Sequence, residues 1–300
     1  MVKLAKTFLI SFVVFYSFAC TSTAEKKDTT LYIPPAPPPP PQMASAFNML
    51  TDSFADLEGC FLLFDMKLND YVEEFNSPRC RQPTSPCSTF KVPLAVMAFD
   101  SGILKDEDST FKWDGRKNTI LAWNKDQTAK SWMQESVVWY SQRITQKLGR
   151  KKVQSYLDKF QYGNHDFSGG LTTAWLTGGP VPHENPKSSV LISGYEQVDF
   201  MKKLWTSQLP ASQAAMDLTR KITFLEMTPR GFKLSGKTGS GFMPPEFKQR
   251  LGWFVAHIEG KDQEFIAVAT FNDKGANDSL SGGKQAKQIL IEALKAHGLY

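Results

Sequence analysis

The stretch Pro86-Cys-Ser88-Thr-Phe-Lys91-Val-Pro93-Leu-Ala-Val-Met-Ala-Phe99 joins a serine and a lysine to an almost unbroken apolar run. Residues 92–104 are apolar at helical spacing, and Pro93 is tolerated only near a helix start, which predicts a helix whose first turn begins around Ser88. Residues three apart on a helix face the same side, so Lys91 can approach the Ser88 hydroxyl. The run predicts a central, buried helix, and apolar burial favours a neutral lysine amine that can activate a serine.

The same tetrapeptide, Ser-Thr-Phe-Lys, occurs again at residues 109–112. Charged residues at 105–108 precede this copy and Trp-Asp-Gly-Arg follows it, so we predict a short exposed strand or turn there. A third Ser-x-x-Lys pattern, at residues 281–284, contains two glycines and favours a helix cap. A chain of this length contains roughly one or two such patterns by chance. The pattern therefore indicates little alone, and an ordinary helix N-cap is an equally good interpretation of Ser88 by itself.

Apolar segments near both chain ends predict strands, whereas the middle of the chain predicts helices. Strands are predicted at Gly59–Phe64, at Tyr71–Phe75 across a polar turn, and at residues 231–237, 251–258 and 264–271. Helices are predicted within residues 131–160, where two are broken near Gly149, and at residues 211–226 and 284–296. This order predicts an α+β fold. One antiparallel sheet formed by both chain ends would be flanked by helices and joined to a helical subdomain.

The first residues of the chain predict export. A short basic start precedes an apolar run at residues 8–19, which is too short to span a bilayer comfortably and is typical of a signal peptide. Small residues favour cleavage near Ala24, whereas residues 17–20 form a poor lipobox whose Cys20 would be lipidated. We therefore expect a periplasmic protein, with a membrane tether only if Cys20 carries lipid.

Composition and these signals divide the chain into three parts. We predict a signal peptide over residues 1–24, a Pro-rich linker of semi-rigid polyproline geometry over 25–45 and one folded catalytic domain over 46–300. Apolar residues make up 41% of the chain, which is enough for a substantial core. The formal charge of +5 is evenly spread and does not favour nucleic acid as a partner.

Cysteine and histidine positions restrict the chemistry. Cys60, Cys80 and Cys87 follow the linker, and in an oxidising compartment two of them could pair. Cys80–Cys87 closes the shortest loop, but the sequence does not decide the pairing. The four histidines are scattered without His-x-His or His-Glu-x-x-His spacing, so a bound metal and a Ser-His-Asp triad are disfavoured.

Two further motifs follow the first Ser-x-x-Lys in chain order. Ser136-Val-Val138 lies in a tryptophan-rich stretch, and Lys237-Thr238-Gly239 lies in a predicted strand, where it offers a cation, a hydroxyl and backbone groups to an anionic ligand. Ser-x-x-Lys, a second serine motif and Lys-Thr-Gly are the signatures of the penicilloyl-serine superfamily. Ser-x-Val in second place, instead of Ser-Asp-Asn, resembles the class D β-lactamases, the oxacillinases. Further matches lie at residues 111–115, 123–124, 132–134, 162–164, 174–176 and 252–253.

This resemblance, which runs from about residue 50 to the C-terminus, implies roles for individual residues. It implies that Ser88 is acylated by a β-lactam, that Lys91 is carbamylated by CO2 or bicarbonate and acts as general base, and that Ser136 relays a proton. No other cofactor is implied. The residues implied to bind substrate are Lys237, Thr238, Gly239 and Ser240, with the backbone N–H groups of Ser88 and Ser240 as oxyanion hole. The residues implied to line the carbamate pocket are Phe90, Val138, Trp175 and Leu176, although Trp175 could equally serve in core packing.

The sequence departs from the family pattern at one position, and two alternative functions remain. Many relatives place an arginine after the last strand, but residues 271–278 contain none, so Lys274, or Thr238 with Ser136, would bind the substrate carboxylate. We expect hydrolysis of penicillins by a monomer or homodimer. A penicillin-binding transpeptidase or carboxypeptidase and a β-lactam sensor domain are the alternatives.

Overall fold

A computed structural model describes residues 41–177, 188–244, 248–273 and 281–300, with side chains described from residue 46 onward. The predicted signal peptide, Cys20 and most of the predicted linker lie outside these residues. The α-helices are α1 (Pro41–Ser53), α2 (Ser77–Cys80), α3 (Lys91–Asp100), α4 (Ala129–Gln134), α5 (Val138–Leu148), α6 (Arg150–Phe160), α7 (Gly194–Trp205), α8 (Gln213–Thr223) and α9 (Gly282–Ala296). The strands are β1 (Leu57–Asp65), β2 (Asp70–Phe75), β3 (Thr110–Phe111), β4 (Gln127–Thr128), β5 (Phe224–Met227), β6 (Lys233–Phe242), β7 (Arg250–Glu259) and β8 (Glu264–Asp273).

Six antiparallel strands form the central sheet in the order β2-β1-β8-β7-β6-β5. The N-terminal hairpin β1–β2 joins the C-terminal strands through the pairing of β1 with β8, in which Leu57 lies opposite Asp273. The two chain ends therefore complete one sheet, which confirms the predicted α+β fold.

The two faces of the sheet bury separate apolar clusters, because successive strand residues point to opposite faces. On one face, residues such as Phe61, Phe254 and Ala267 pack with helices α1 and α9. On the other face, Leu62, Trp253 and their neighbours pack with the helical middle of the chain. Within that helical part, α3 packs against both α5 and α8, so the apolar run after Lys91 is central and buried as predicted.

Several boundaries differ from the prediction. Helix α1 begins at Pro41, inside the predicted linker, and its buried Leu50, with Phe54 just after the helix, continues the cluster of the sheet face. The predicted helix over 211–226 ends at Thr223 and continues directly as strand β5. Helix α7 was not predicted, although its capping box of Ser193 and Glu196 is a sequence signal for a helix start.

The cysteine pairing is Cys60 with Cys80, and Cys87 is free and buried. This bond joins β1 to the end of α2 rather than closing the shorter Cys80–Cys87 loop. In the part of the chain that the structure describes, no helix has both the length and the apolar character needed to cross a membrane.

Candidate active site

Ser88 and Lys91 lie in hydrogen-bonding contact at the start of the central helix. A 3₁₀ turn at Cys87–Phe90 runs directly into α3, and residues three apart eclipse each other in this geometry. The Lys91 Nζ lies 3.0 Å from the Ser88 Oγ. The Lys91 side chain is completely buried, and this burial, together with the charge of Lys237, lowers the pKa of its amine well below the ordinary value. A neutral amine beside a hydroxyl can accept its proton, which is what a serine nucleophile requires.

The Lys-Thr-Gly motif of β6 lies directly against this turn. A Cβ on residue 239 would come within 2.8 Å of the Pro86 carbonyl oxygen and 3.2 Å of the Thr89 Cγ2, so glycine at this position permits the close approach. Strand β5 pairs with β6 only at Lys233–Ser235. Beyond that point β6 is not paired with β5, and the Lys-Thr-Gly motif lies in this part of the strand.

Lys237 adds a second buried amine to the site. Burial lowers the pKa of its amine to about 7. Its Nζ donates to the Thr238 carbonyl oxygen at 3.1 Å and to the Thr238 hydroxyl at 3.3 Å. The Ser240 hydroxyl accepts a hydrogen bond from the Gly283 N–H at 2.9 Å, which fixes the end of the motif to the first turn of α9. The Ser240 end of the Lys237–Ser240 segment is therefore fastened to α9.

Aromatic rings pack on Phe90, the residue that precedes Lys91. The Phe90 ring stacks on Trp175 with centroids 5.2 Å apart, and both rings stack with Phe167. Trp175 is completely buried, and its indole Nε1 has no hydrogen-bond acceptor among the described residues. Val138, which begins α5, and Leu176 are buried in the same apolar cluster. Trp175 therefore packs in the core and also keeps a buried donor free of any described acceptor.

Ser136 lies in the connection between α4 and α5. It is half-buried, and its φ of 57° is in the left-handed region, which is uncommon for a non-glycine residue and typical of constrained functional positions. Within the described residues its hydroxyl forms no hydrogen bond. The proton relay implied for Ser136 therefore stays a prediction.

Comparisons with known proteins agree with this geometry. Residues 59–295 match the family model described as penicillin-binding protein transpeptidase domain. The β-lactamase OXA-1 of Escherichia coli is 40% identical over 248 residues, which cover 79% of this chain and 85% of OXA-1. A class D β-lactamase structure from Bacillus subtilis matches with a TM-score of 0.72 and 32% identity, over 83% of this chain and 95% of that one. The chain belongs to the class D β-lactamases.

A receptor domain shares the same fold. The C-terminal domain of the Bacillus licheniformis BlaR penicillin receptor matches with a TM-score of 0.73 and 29% identity, over 86% of this chain and 95% of that one. The class D β-lactamase fold is thus common to proteins named as enzymes and to a protein named as a receptor.

The second Ser-Thr-Phe-Lys copy of this class D chain is an exposed strand, as predicted. Thr110 and Phe111 form β3, which pairs with β4. The Lys112 side chain is 84% exposed, and its Nζ pairs with Asp126 at 2.7 Å. The third pattern also agrees with its prediction, because Ser281 occupies the N-cap position of α9.

The 3₁₀ turn at Cys87–Phe90 carries the predicted nucleophile Ser88 and is called the nucleophile turn below. Sequence reasoning missed several residues that hold this turn. Gln197 of α7 donates from its Nε2 to the Thr89 hydroxyl at 2.8 Å, and that hydroxyl donates to the Pro86 carbonyl at 2.7 Å. All three residues are buried. Because α7 was not predicted, the only available signal for Gln197 was its position one residue after Glu196 of the capping box.

Of the remaining predicted residues, Asn164 lies in the part of the chain that the structure describes and Lys274 does not. Asn164 of the Tyr-Gly-Asn match accepts the Leu191 N–H at 3.0 Å, and Asn164 Nδ2 donates to the Ser189 carbonyl at 2.8 Å, so it fastens one loop to another. Lys274 lies outside the described residues. In the described ranges, no group of three or more His, Cys, Asp or Glu side chains is arranged to hold a metal ion.

Proposed function

We propose that this chain hydrolyses the β-lactam amide of penicillins through an acyl-enzyme on Ser88. The observation that carries the proposal is the 3.0 Å contact between the Lys91 Nζ and the Ser88 Oγ in a site that favours the neutral amine. In this proposal Lys91 takes up the hydroxyl proton while the oxygen attacks the lactam carbonyl carbon. The C–N bond of the lactam then breaks, and water later cleaves the ester on Ser88.

The part of β6 beyond its pairing with β5 would hold the substrate. We propose that the Lys237 ammonium and the Thr238 hydroxyl bind the substrate carboxylate, and that Gly239 lets this strand lie close to the turn. A bound carboxylate favours the charged amine, so the substrate would raise the pKa of Lys237 from its value of about 7 in the free protein. The backbone N–H groups of Ser88 and Ser240 would stabilise the oxyanion. Ser136 would pass a proton to the departing lactam nitrogen.

The residues around Lys91 fit a carboxylate that CO2 adds to its amine. CO2 reacts with a neutral amine, and the burial of Lys91 favours that form. The Trp175 indole N–H is a buried donor with no acceptor among the described residues, and it belongs to the ring stacked on Phe90. When bound, this group would supply the general base of acylation and deacylation. Phe90, Val138, Trp175 and Leu176 would exclude bulk water from it.

The likeness to the BlaR receptor domain supports a second candidate function. A penicillin receptor, like a penicillin-binding transpeptidase, forms the acyl-enzyme but releases it slowly. The two functions share every step up to acylation and differ only in the cleavage of the ester.

We also propose that the protein acts after export, in the periplasm, with Cys20 lipidation as the alternative mode of retention.

A turnover experiment separates these functions. Purified protein would be mixed with the chromogenic cephalosporin nitrocefin, with and without added bicarbonate, and with Lys112→Ala as matched control for a lysine of the same tetrapeptide. We expect many turnovers per molecule, stimulated by bicarbonate and unchanged in the control. A single stoichiometric burst would contradict the hydrolase and favour the receptor.

A further inference from the structure

Ser85 joins three parts of the site although it belongs to none of the recognised motifs. Its side chain is 3% exposed, and it lies just before the turn that carries Ser88. The Ser85 Oγ donates to the Trp175 carbonyl oxygen at 2.8 Å. The Ser85 carbonyl oxygen accepts the Trp253 indole N–H at 3.0 Å. The residue thus fastens the Trp175 segment to the nucleophile turn, and the turn to β7.

Neighbouring contacts hold the same segment in place. The Cys87 Sγ lies 3.6 Å from the Thr177 Oγ1, and the Thr177 carbonyl accepts the Phe242 N–H at 2.8 Å. Residues 174–177 therefore lie between the nucleophile turn and the end of β6. Among the described contacts, the Ser85 hydroxyl is the side-chain group that donates a hydrogen bond to the Trp175 backbone.

The position of the Trp175 ring depends on this backbone. The ring stacks on Phe90 at an interplanar angle of 20°, and Phe90 directly precedes Lys91 in the chain. Its Nε1 is buried without an acceptor among the described residues. An unsatisfied buried donor is costly, and an anion placed beside it would remove that cost. A fixed Trp175 backbone would keep this donor in the ring stack against Phe90, the residue that precedes Lys91.

We propose that Ser85 is a positioning residue that holds Trp175 beside Lys91 and thereby retains CO2 on the lysine. The inference rests on the proposed function, because it requires the added carboxylate. In this reaction the neutral Nζ of Lys91 forms a bond to the carbon of CO2, one N–H proton is released, and a carbamate anion results. No bond is oxidised or reduced, and the reverse reaction takes up the proton and releases CO2. Ser85 acts on this equilibrium through Trp175 and touches neither substrate nor CO2.

The test compares Ser85→Ala with Thr219→Val. Thr219 is a matched control because its hydroxyl is also buried and also donates to a backbone carbonyl at 2.8 Å, in α8. Each variant would be titrated with ¹³C-bicarbonate, and the carbamate carbon would be followed by NMR together with nitrocefin turnover. Loss of one such hydrogen bond predicts about a tenfold higher bicarbonate concentration for half-saturation in Ser85→Ala. Thr219→Val is expected to keep the wild-type value.

The outcomes separate this inference from the proposed function. Saturating bicarbonate is expected to restore kcat in Ser85→Ala with an unchanged KM. The positioning role alone would be overturned if Ser85→Ala gave the wild-type bicarbonate titration. It would also be overturned if Ser85→Ala lost kcat and bicarbonate did not restore it. Absence of the carbamate resonance from the wild-type protein would overturn the positioning role and the added carboxylate, whereas absence of nitrocefin turnover would overturn the proposed hydrolysis. If Ser85→Ala does not fold, Ser85→Cys offers a weaker donor of similar volume. A bicarbonate titration of Ser85→Cys between the wild-type curve and complete loss supports the positioning role, and a wild-type curve overturns it.

Discussion

The tetrapeptide Ser-Thr-Phe-Lys occurs at residues 88–91 and again at residues 109–112, and the two copies fold differently. In the first copy a 3₁₀ turn leads into α3, and the lysine amine lies 3.0 Å from the serine oxygen. In the second copy the chain is extended as β3, the Ser109 hydroxyl accepts the N–H groups of Lys105 and Asp106, and Lys112 pairs with Asp126.

Local geometry explains the difference in contact. Side chains three residues apart eclipse each other on a 3₁₀ helix, but they point to opposite faces of an extended strand. The residues that follow decide which geometry forms. Apolar residues 92–99 continue the first copy into a buried helix, whereas the mostly polar and exposed residues 113–118 keep the second copy at the surface.

Burial then gives the two lysines opposite acid–base behaviour. Desolvation lowers the pKa of Lys91 well below its ordinary value, whereas the hydrogen bond and charge of Asp126 raise the pKa of Lys112. The first amine is prepared to accept a proton or to react with CO2, and the second is held as an ammonium ion. The same four residues therefore produce a contact between a serine and a buried lysine in one place and a surface ion pair in the other.

Replacing the serine is expected to give the largest difference between the copies. Ser88→Ala removes the oxygen that attacks the lactam, so no covalent penicillin adduct should form. Ser109→Ala should acylate normally and lose about 1 kcal/mol of stability with its turn hydrogen bonds. Mass spectrometry after incubation with a penicillin measures both, and an adduct on Ser88→Ala would show that another residue is the nucleophile.

Replacing the buried lysine should give the next largest effect. Lys91→Ala is expected to lower nitrocefin turnover by about 10²–10⁴-fold, the usual contribution of a general base. Where acylation survives, the acyl-enzyme should accumulate and appear in the mass spectrum of the intact protein. A thermal melt checks that the variant is folded. Turnover close to that of the wild type would exclude Lys91 as the base.

The contrast between the copies also shows what the sequence could predict. The apolar run after Lys91 was sufficient to choose the first copy, because hydrophobic periodicity reports burial directly. Apolar segments near both chain ends likewise predicted β1, β2, β6, β7 and β8. These predictions depend on neighbours in the chain, and such neighbours are visible in a sequence.

Features that depend on distant contacts could not be predicted in this way. The Cys60–Cys80 pairing and the Gln197–Thr89 hydrogen bond join segments whose proximity follows only from the packed sheet. The left-handed φ of Ser136 is similarly set by its tertiary surroundings and not by local preference. Ser85 illustrates the same limit, since its partners are 90 and 168 residues away.

The opposite pKa shifts predict a smaller, pH-dependent difference in stability. The folded-state pKa of Lys91 lies below the unfolded value, so between the two the unfolded chain binds more protons and the free energy of unfolding rises with pH. Lys237 acts in the same direction between pH about 7 and 10.5. Each group contributes at most about 1.4 kcal/mol per pH unit.

Urea unfolding of Lys91→Met and Lys112→Met in CO2-free buffer tests this sign. Lys91→Met should flatten the rise of stability with pH. Lys112→Met should not flatten it, because the raised pKa of Lys112 gives stability that is present at low pH and lost as the pH rises through its folded-state value. Equal slopes of the free energy of unfolding against pH in the wild type and in Lys91→Met would contradict the argument that burial lowers the pKa of Lys91.

The smallest expected effect is that of Lys112→Ala on turnover. The Lys112 side chain is 84% exposed, and an exposed ion pair such as that with Asp126 contributes little. The neighbouring backbone is held without it, since Asp126 also accepts the Trp113 N–H at 2.9 Å and Arg143 donates to the Lys112 carbonyl. Steady-state nitrocefin kinetics should therefore give wild-type kcat and KM. A large loss of kcat would mean that the exposed copy takes part in the chemistry, and that burial does not distinguish the two.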